Sequence, residues 1–203
     1  LEKTLRAYIN IFDENHPYVA QSWNNLGTAW SSKGENDKAI KYYEKALTSD
    51  TKTFGEDHPK VANCWNNLGL AWSSKGEYDT GIKYCEKSLM SDIKTFGEDH
   101  PNIVKYWNNL GGIWRLKGNY DKAIEYHERA LFSAIKILGE GHPNVAICST
   151  NLGADWESKG DYNKAIVYYE KSLERFKKNG LPHYAENVEE KLENLRKQRS
   201  KNK

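Results

Sequence analysis

A single dipeptide fixes the frame of this chain. His-Pro stands at 16–17, 58–59, 100–101 and 142–143, and each step is 42 residues. Asn-Leu-Gly keeps the same step at 25–27, 67–69, 109–111 and 151–153. A unit that recurs at this period cannot bury its own apolar face, so copies stack into a solenoid. Four such units run from Phe12 to Asn179 of a 203-residue chain. A solenoid offers a long surface rather than one enclosed pocket, and that frames the function.

Each unit reads as two helices. Proline has a fixed φ and no N–H, so it suits a first helical turn and pushes the residue before it out of helical geometry. His16, His58, His100 and His142 therefore read as capping residues at four helix starts. Behind each His-Pro, apolar residues recur at steps of three and four: Val19, Trp23, Leu26 and Trp30, then Val61, Trp65, Leu68 and Trp72. That spacing places them on one helical face. The helix is expected to stop at Lys33-Gly34, Lys75-Gly76, Lys117-Gly118 and Lys159-Gly160. Glycine accepts the left-handed conformation there, and the lysine faces the carbonyl end. A second helix starts two or three residues later and buries positions such as Ile40, Tyr43, Ala46 and Leu47. It ends at Phe54-Gly55, Phe96-Gly97 or Leu138-Gly139.

Boundaries follow from the period. Residues 1–11 align with the second helix of a partial preceding unit, as expected of a piece cut from a longer protein. Full units span 12–53, 54–95, 96–137 and 138–179. A capping helix is expected over 180–195, where Val188, Leu192 and Leu195 give one apolar face among charged residues. Residues 196–203 carry five basic groups and no acid, and read as a basic, frayed tail.

Charge and cysteine usage exclude several functions. Net charge is +2, and without those five tail cations the rest holds 25 basic against 28 acidic groups. A mildly acidic body with no basic stripe argues against nucleic acid. No apolar run approaches the ~18 residues of a membrane helix, and Leu1-Glu2-Lys3-Thr4 is too polar for a signal peptide. Cys64, Cys85 and Cys148 are odd in number and widely spaced, so they read as packing residues in a reducing, cytoplasmic compartment. The four capping histidines cannot share a metal: repeats stack about 10 Å apart, whereas zinc ligands sit about 2 Å from the ion. There is no nucleophile elbow and no phosphate-cradling glycine loop, so no catalytic residue, metal or cofactor is expected.

The fourth unit breaks the pattern twice. Ser149 stands where the others have Trp23, Trp65 and Trp107, and Asp155 where they have Ala29, Ala71 and Ile113. Two readings stay open: tolerance beside the end of the array, or a specific polar contact. His127 takes the place of Tyr43 and Tyr169 and reads as a packed core histidine.

Trp23-x2-Leu26-Gly27-x2-Trp30, followed by Ala39, Tyr43 and Ala46-Leu47, resembles the tetratricopeptide pattern. The common unit is about 34 residues; with 42 and the Gly-Glu-Asp-His-Pro, Val-Ala and Asn-Asn-Leu signatures, this one is similar to the kinesin-light-chain subclass. The resemblance implies an all-α fold, a right-handed superhelix of antiparallel helix pairs whose first helices line a concave groove for peptides. The groove positions it implies lie just off the buried stripe: Gln21, Asn24 and Thr28 in the first unit, then Asn63, Asn66 and Ser73. In the third and fourth units they are Lys105, Asn108 and Arg115, then Thr150 and Glu157.

Asn24, Asn66 and Asn108 recur once per unit, and an amide both donates and accepts, which suits capture of a peptide backbone. Their neighbours Asn25, Asn67, Asn109 and Asn151 are expected to bond between helices. Lys105 and Arg115 are the basic members of the set and suit an acidic or C-terminal ligand near the third repeat. The expected function is a non-catalytic scaffold that binds a protein or peptide in this groove. Two alternatives stay open: a regulatory module of a larger, protease-like or signalling protein that holds a neighbouring domain, and a self-assembly module.

Overall fold

The computed structural model describes the backbone of residues 2–201 and the side chains of residues 3–199. All regular structure among the described residues is helical. Five helices are α1 (Glu2–Ile11), α2 (Pro17–Ser32), α3 (Asn36–Phe54), α4 (Pro59–Ser74) and α5 (Tyr78–Phe96). Five more are α6 (Pro101–Leu116), α7 (Tyr120–Leu138), α8 (Pro143–Ser158), α9 (Tyr162–Lys178) and α10 (Pro182–Lys201). They form two compact units that divide between Glu98 and Asp99, and each is described by itself.

The helix starts are built as the His-Pro motif dictates. His16, His58, His100 and His142 hold extended backbone, and the Nδ1 of each accepts the backbone N–H two residues on, at 3.1–3.3 Å. That satisfies one of the amides a helix start leaves unpaired. Phe12 and Phe54 stack on the imidazoles of His16 and His58, ring centres 3.9 and 4.4 Å apart. At the other end Gly34 and Gly55 take φ of +76° and +85°, which stops each helix and turns the chain. The lysine before the stop has a second use. Lys33, Lys75, Lys117 and Lys159 lay their ammonium groups 5.1–5.2 Å from the ring centres of Trp30, Trp72, Trp114 and Trp156. The stem lies along the indole, and the ammonium groups of Lys75 and Lys159 pair with Asp37 and Asp121.

In the unit of α1–α5, Leu5, Val19, Trp23, Leu26 and Ala46 pack together with Cys64. Ala39, Ile40 and Tyr43 of α3 meet Leu68 and Ala71 of α4. The second helix of one repeat thus buries against the first helix of the next. In the unit of α6–α10, Val104, Ala130, Ala134, Val145 and Cys148 form one cluster. Ala146, Ala165, Ile166, Tyr169 and Phe176 form another with Ala185, Val188, Leu192 and Leu195 of α10. The three cysteines are free and buried; burial pushes the Cys64 thiol up to about 12 and the Cys148 thiol up to about 11. No helix among the described residues is long and apolar enough to cross a membrane.

One boundary differs from the sequence reading. Helix α10 runs past residue 195 to Lys201. Arg196 bonds Glu170 of α9 at 2.6 Å and Arg199 reaches Asn163 at 3.3 Å. Lys197 pairs within its own helix, with Glu193 at 2.6 Å. Leu1, Asn202 and Lys203 lie outside the described residues.

Helix pairs approach closest at the glycine of Asn-Leu-Gly. A Cβ on Gly111 would stand 2.6 Å from the His127 ring, whereas one on Gly112 would meet nothing within 4 Å. Neighbouring residues of one helix therefore predict opposite outcomes. Gly111→Ala should lower stability by about 1–3 kcal/mol, as overpacking does. Gly112→Ala should raise it by about 0.5–1 kcal/mol, because alanine suits a helix interior better. Urea titration of the two variants beside the parent checks both signs.

Candidate functional site

The predicted groove residues sit on the first helices, α2 and α4 in one unit and α6 and α8 in the other. In the first unit Gln21 and Thr28 are exposed, and Asn24 and Asn63 are half-buried. Asn66 and Ser73 are not on open surface: only 3% and 4% of each is exposed. The reason is geometric. A first helix buries one side against its own partner helix and another against neighbouring repeats, so the covered arc is wider than the apolar stripe. Ser73 lies over α5, where its Cβ is 3.2 Å from the place a Cβ on Gly81 would take.

The amides split in the same way in both units. Asn67 donates to the Asn24 Oδ1 at 2.9 Å, and Asn151 to the Asn108 Oδ1 at 3.0 Å. These are the inter-helix bonds expected of the neighbouring asparagines. Asn108 also turns its NH2 inward, to the Val104 carbonyl at 3.1 Å and the Cys148 sulfur at 3.2 Å. Its amide is therefore spent on structure. Asn24, half-buried, accepts from Asn67 at its Oδ1.

Gln21, Asn24 and Asn63 come together. With Pro17, Asp50, Lys60, Cys64 and Asn67 they line a cavity of about 260 Å³ between α2 and α4. Asp50, from α3, is 5% exposed; its Oδ2 accepts from the Cys64 thiol at 3.7 Å, and its Oδ1 has no hydrogen-bond partner. Burial raises the Asp50 pKa, and the Lys60 ammonium opposes that shift. Sequence reasoning missed Asp50, Lys60 and Asn67 as lining residues. The signal for Asp50 was present: its register holds Asp92, then Ala134 and Phe176, so the two acids fall on a face that is apolar in later repeats.

In the second unit Lys105 is exposed, and its ammonium lies 4.7 Å from the centre of the Tyr106 ring. Arg115 does not join it as an open basic spot. Its guanidinium points inward to the Asp155 Oδ1 at 3.4 Å and the Asn151 carbonyl at 3.5 Å. Thr150 donates to the Ala146 carbonyl and bonds Ser172 of α9. Glu157 accepts from the Tyr169 hydroxyl at 2.7 Å; burial first, then this carboxylate, raises the Tyr169 pKa.

Asp155 is fully buried, and its second oxygen bonds the His127 Nδ1. The other ring nitrogen of His127 donates to the Asn108 carbonyl at 3.1 Å. The Asp155 carboxyl thus has the His127 ring on one oxygen and the Arg115 guanidinium on the other. Of the two readings open at Asp155, a specific polar contact is the one the structure shows. The first unit has Tyr43 and Ala71 at the same two places, in one apolar cluster. His127 and Asp155 are thus a coupled exchange. Asp155→Ala alone leaves His127 buried without its carboxylate and should cost about 3–5 kcal/mol. The double change His127→Tyr with Asp155→Ala restores the arrangement of the first unit and should recover most of that loss. A double-mutant cycle by denaturant titration measures both.

The matches to known proteins agree with this architecture. The tetratricopeptide repeat family matches residues 1–48, 31–74, 73–131 and 103–178. No curated protein matches the chain. Among solved structures, BtubC (BKLC) from P. vanneervenii superposes with TM-score 0.70 at 18% identity, over 98% of this chain and 89% of that one. A putative kinesin light chain of Podosopora anserina with nearly identical TPR-like repeats gives 0.68 at 18%, over 89% and 96%. A Rap protein complexed with competence and sporulation factor gives 0.73 at 16%, over 91% of this chain and 49% of that one. At these identities the likeness is one of fold. The chain belongs to the tetratricopeptide repeat family.

Proposed function

We propose that this chain is a non-catalytic scaffold that takes a peptide segment of a partner protein on the first-helix face of its α1–α5 unit. The observation that carries the reading is the cavity between α2 and α4. The amides of Gln21, Asn24 and Asn63 rim it, and the unpartnered Asp50 Oδ1 lies in its wall. Amides pair with a peptide backbone whatever its side chains are, and a desolvated carboxylate oxygen needs an N–H donor. An extended main chain supplies both kinds of group. In the other unit an acidic or C-terminal ligand would rely on Lys105, because Arg115 is engaged by Asp155. The Rap structure supports the general reading, since that protein, similar in fold, was solved in a complex. It also favours a second reading, a regulatory module within a longer protein, because the match covers 49% of the Rap chain.

A peptide-display selection against this chain, followed by calorimetry on the winning sequences, tests the proposal. The double variant Gln21→Ala/Asn63→Ala removes two rim amides that the core does not bury. It should weaken the selected peptides about tenfold, the worth of one to two hydrogen bonds, with the melting temperature nearly unchanged. Equal affinity for parent and variant would remove the cavity from the model of binding. Asn66→Ala is the wrong probe, because a buried amide reports on folding.

A further inference from the structure

Asparagine-glycine occurs once in the sequence, at Asn179-Gly180. It falls in the turn between α9 and α10, where Asn179 is exposed. This dipeptide is the most reactive setting for an asparagine. Glycine has no Cβ to shield its backbone nitrogen, so that nitrogen can attack the side-chain carbonyl carbon of the residue before it. A new N–C bond closes a succinimide ring, the C–NH2 bond breaks, and ammonia leaves. Water then opens the ring at either carbonyl and leaves aspartate or isoaspartate.

The side chain at risk carries a tie that recurs along the array. In the α1–α5 unit the Thr53 hydroxyl donates to the Asn15 carbonyl at 3.0 Å, and the Thr95 hydroxyl reaches the Asp57 carbonyl at 3.0 Å. Each tie holds the end of a second helix to the turn before the first helix of the same repeat. Asn179 is the same position of the last repeat, and the third repeat has Ile137 there. The Asn179 NH2 donates to the Gly141 carbonyl at 2.9 Å and to the Arg175 carbonyl, four residues back, at 2.8 Å. Thr95 likewise stands 2.9 Å from the carbonyl four residues before it, that of Ser91.

Both partners of Asn179 are carbonyl oxygens, so the position requires a donor. An ionised aspartate or isoaspartate has only acceptors. It sets a negative charge against two carbonyls, at a helix end that disfavours anions. Isoaspartate also lengthens the main chain by one carbon where the turn closes. That closure depends on register: Gly180, at φ +64°, donates to the Lys177 carbonyl, and Leu181 to the Phe176 carbonyl. The same bonds delay the reaction. Attack needs the Gly180 nitrogen stripped of its proton and the Asn179 amide free to rotate, and both groups are engaged while the turn is closed.

We propose that Asn179 is a deamidation site: it is guarded in the folded turn, it reacts when the α9–α10 turn opens, and its product cannot remake the tie to Gly141. The co-reactant is water, and none of the residues assigned to peptide binding takes part. The α6–α10 unit thereby converts episodes of local opening into a permanent change at its last turn.

Incubation of the intact chain in mildly alkaline buffer, with and without denaturing urea, followed by peptide mapping by mass spectrometry, is the test. In urea Asn179 should convert at least about tenfold faster than in the folded chain, because the reaction no longer waits for opening. It should also outpace every other asparagine there. Asn179→Asp builds in one product and should lower the melting temperature by about 2–4 °C, the loss of about one hydrogen bond from a chain of this size. Asn179→Thr supplies the donor used at Thr53 and Thr95; it should abolish conversion at this position and melt close to the parent. Equal conversion in buffer and in urea, or conversion no faster at Asn179 than at other asparagines, would overturn the proposal. So would an Asn179→Asp variant that melts with the parent, since the tie would then need no donor.

Discussion

Everything in this fold leans on the contact between the glycine of Asn-Leu-Gly and the residue 16 positions on. Tyr43, Cys85, His127 and Tyr169 lie where a glycine Cβ would be, at 2.4–2.6 Å. The two helices of a repeat can pass this closely only because the glycine contributes no side chain. The approach brings the rest of the pair into register: Ala39, Ala123 and Ala165, all fully buried, continue the close seam along the second helices. Large residues then fill the flanks, which is why so polar a chain carries seven tryptophans.

The residue facing the glycine in turn dictates its next neighbour, 28 positions further on. Tyr43 is met by Ala71, which leaves room for its ring. His127 is met by Asp155, because a buried imidazole with its Nε2 on a carbonyl still needs a hydrogen-bond partner at Nδ1, which a carboxyl group supplies. Arg115 completes the set by turning inward, so a residue that reads as a ligand-binding cation becomes the counterion of a core acid. Buried ion pairs are costly unless each group is satisfied. Here the Asp155 carboxylate has a partner on each oxygen, and the exchange is tolerated inside the core.

That chain of dependence explains what the amino-acid sequence revealed and what it withheld. The period gave the helix pairs, the His caps, the Lys-Gly stops and the apolar stripe, because each of these is decided by residues within a few positions of one another. The placement of Asn66, Ser73 and Arg115 was not legible. A stripe marks which side of a helix is apolar, but the width of the buried arc depends on the small residues of other helices, such as Gly81 over Ser73. Ser149 and Asp155 were visible as departures from the repeat. Their consequences were not, because these reside in His127, Leu131 and Ile135 of the preceding helix. The pairing of Arg196 with Glu170 of α9 was hidden for the same reason.

Departures of this kind bear on recognition. An array of equivalent repeats presents the same amides at every step, so a ligand held only by repeated groups could bind in several registers of nearly equal energy. Specificity is a difference between affinities, and it requires that one position differ from the others. Asp155 puts a charge where Ala29, Ala71 and Ile113 are apolar, the acid of Asp50 recurs at Asp92 but not at Ala134 or Phe176, and Ser149 removes a ring where the counterparts keep one. Asp155 is satisfied internally by His127 and Arg115, so its asymmetry is spent on the core. Asp50 leaves a buried carboxylate oxygen without a hydrogen-bond partner, and Ser149 stands in the wall of a cavity that Tyr168 and Lys171 also line. A uniform scaffold acquires addresses at the positions where its own packing has been left incomplete.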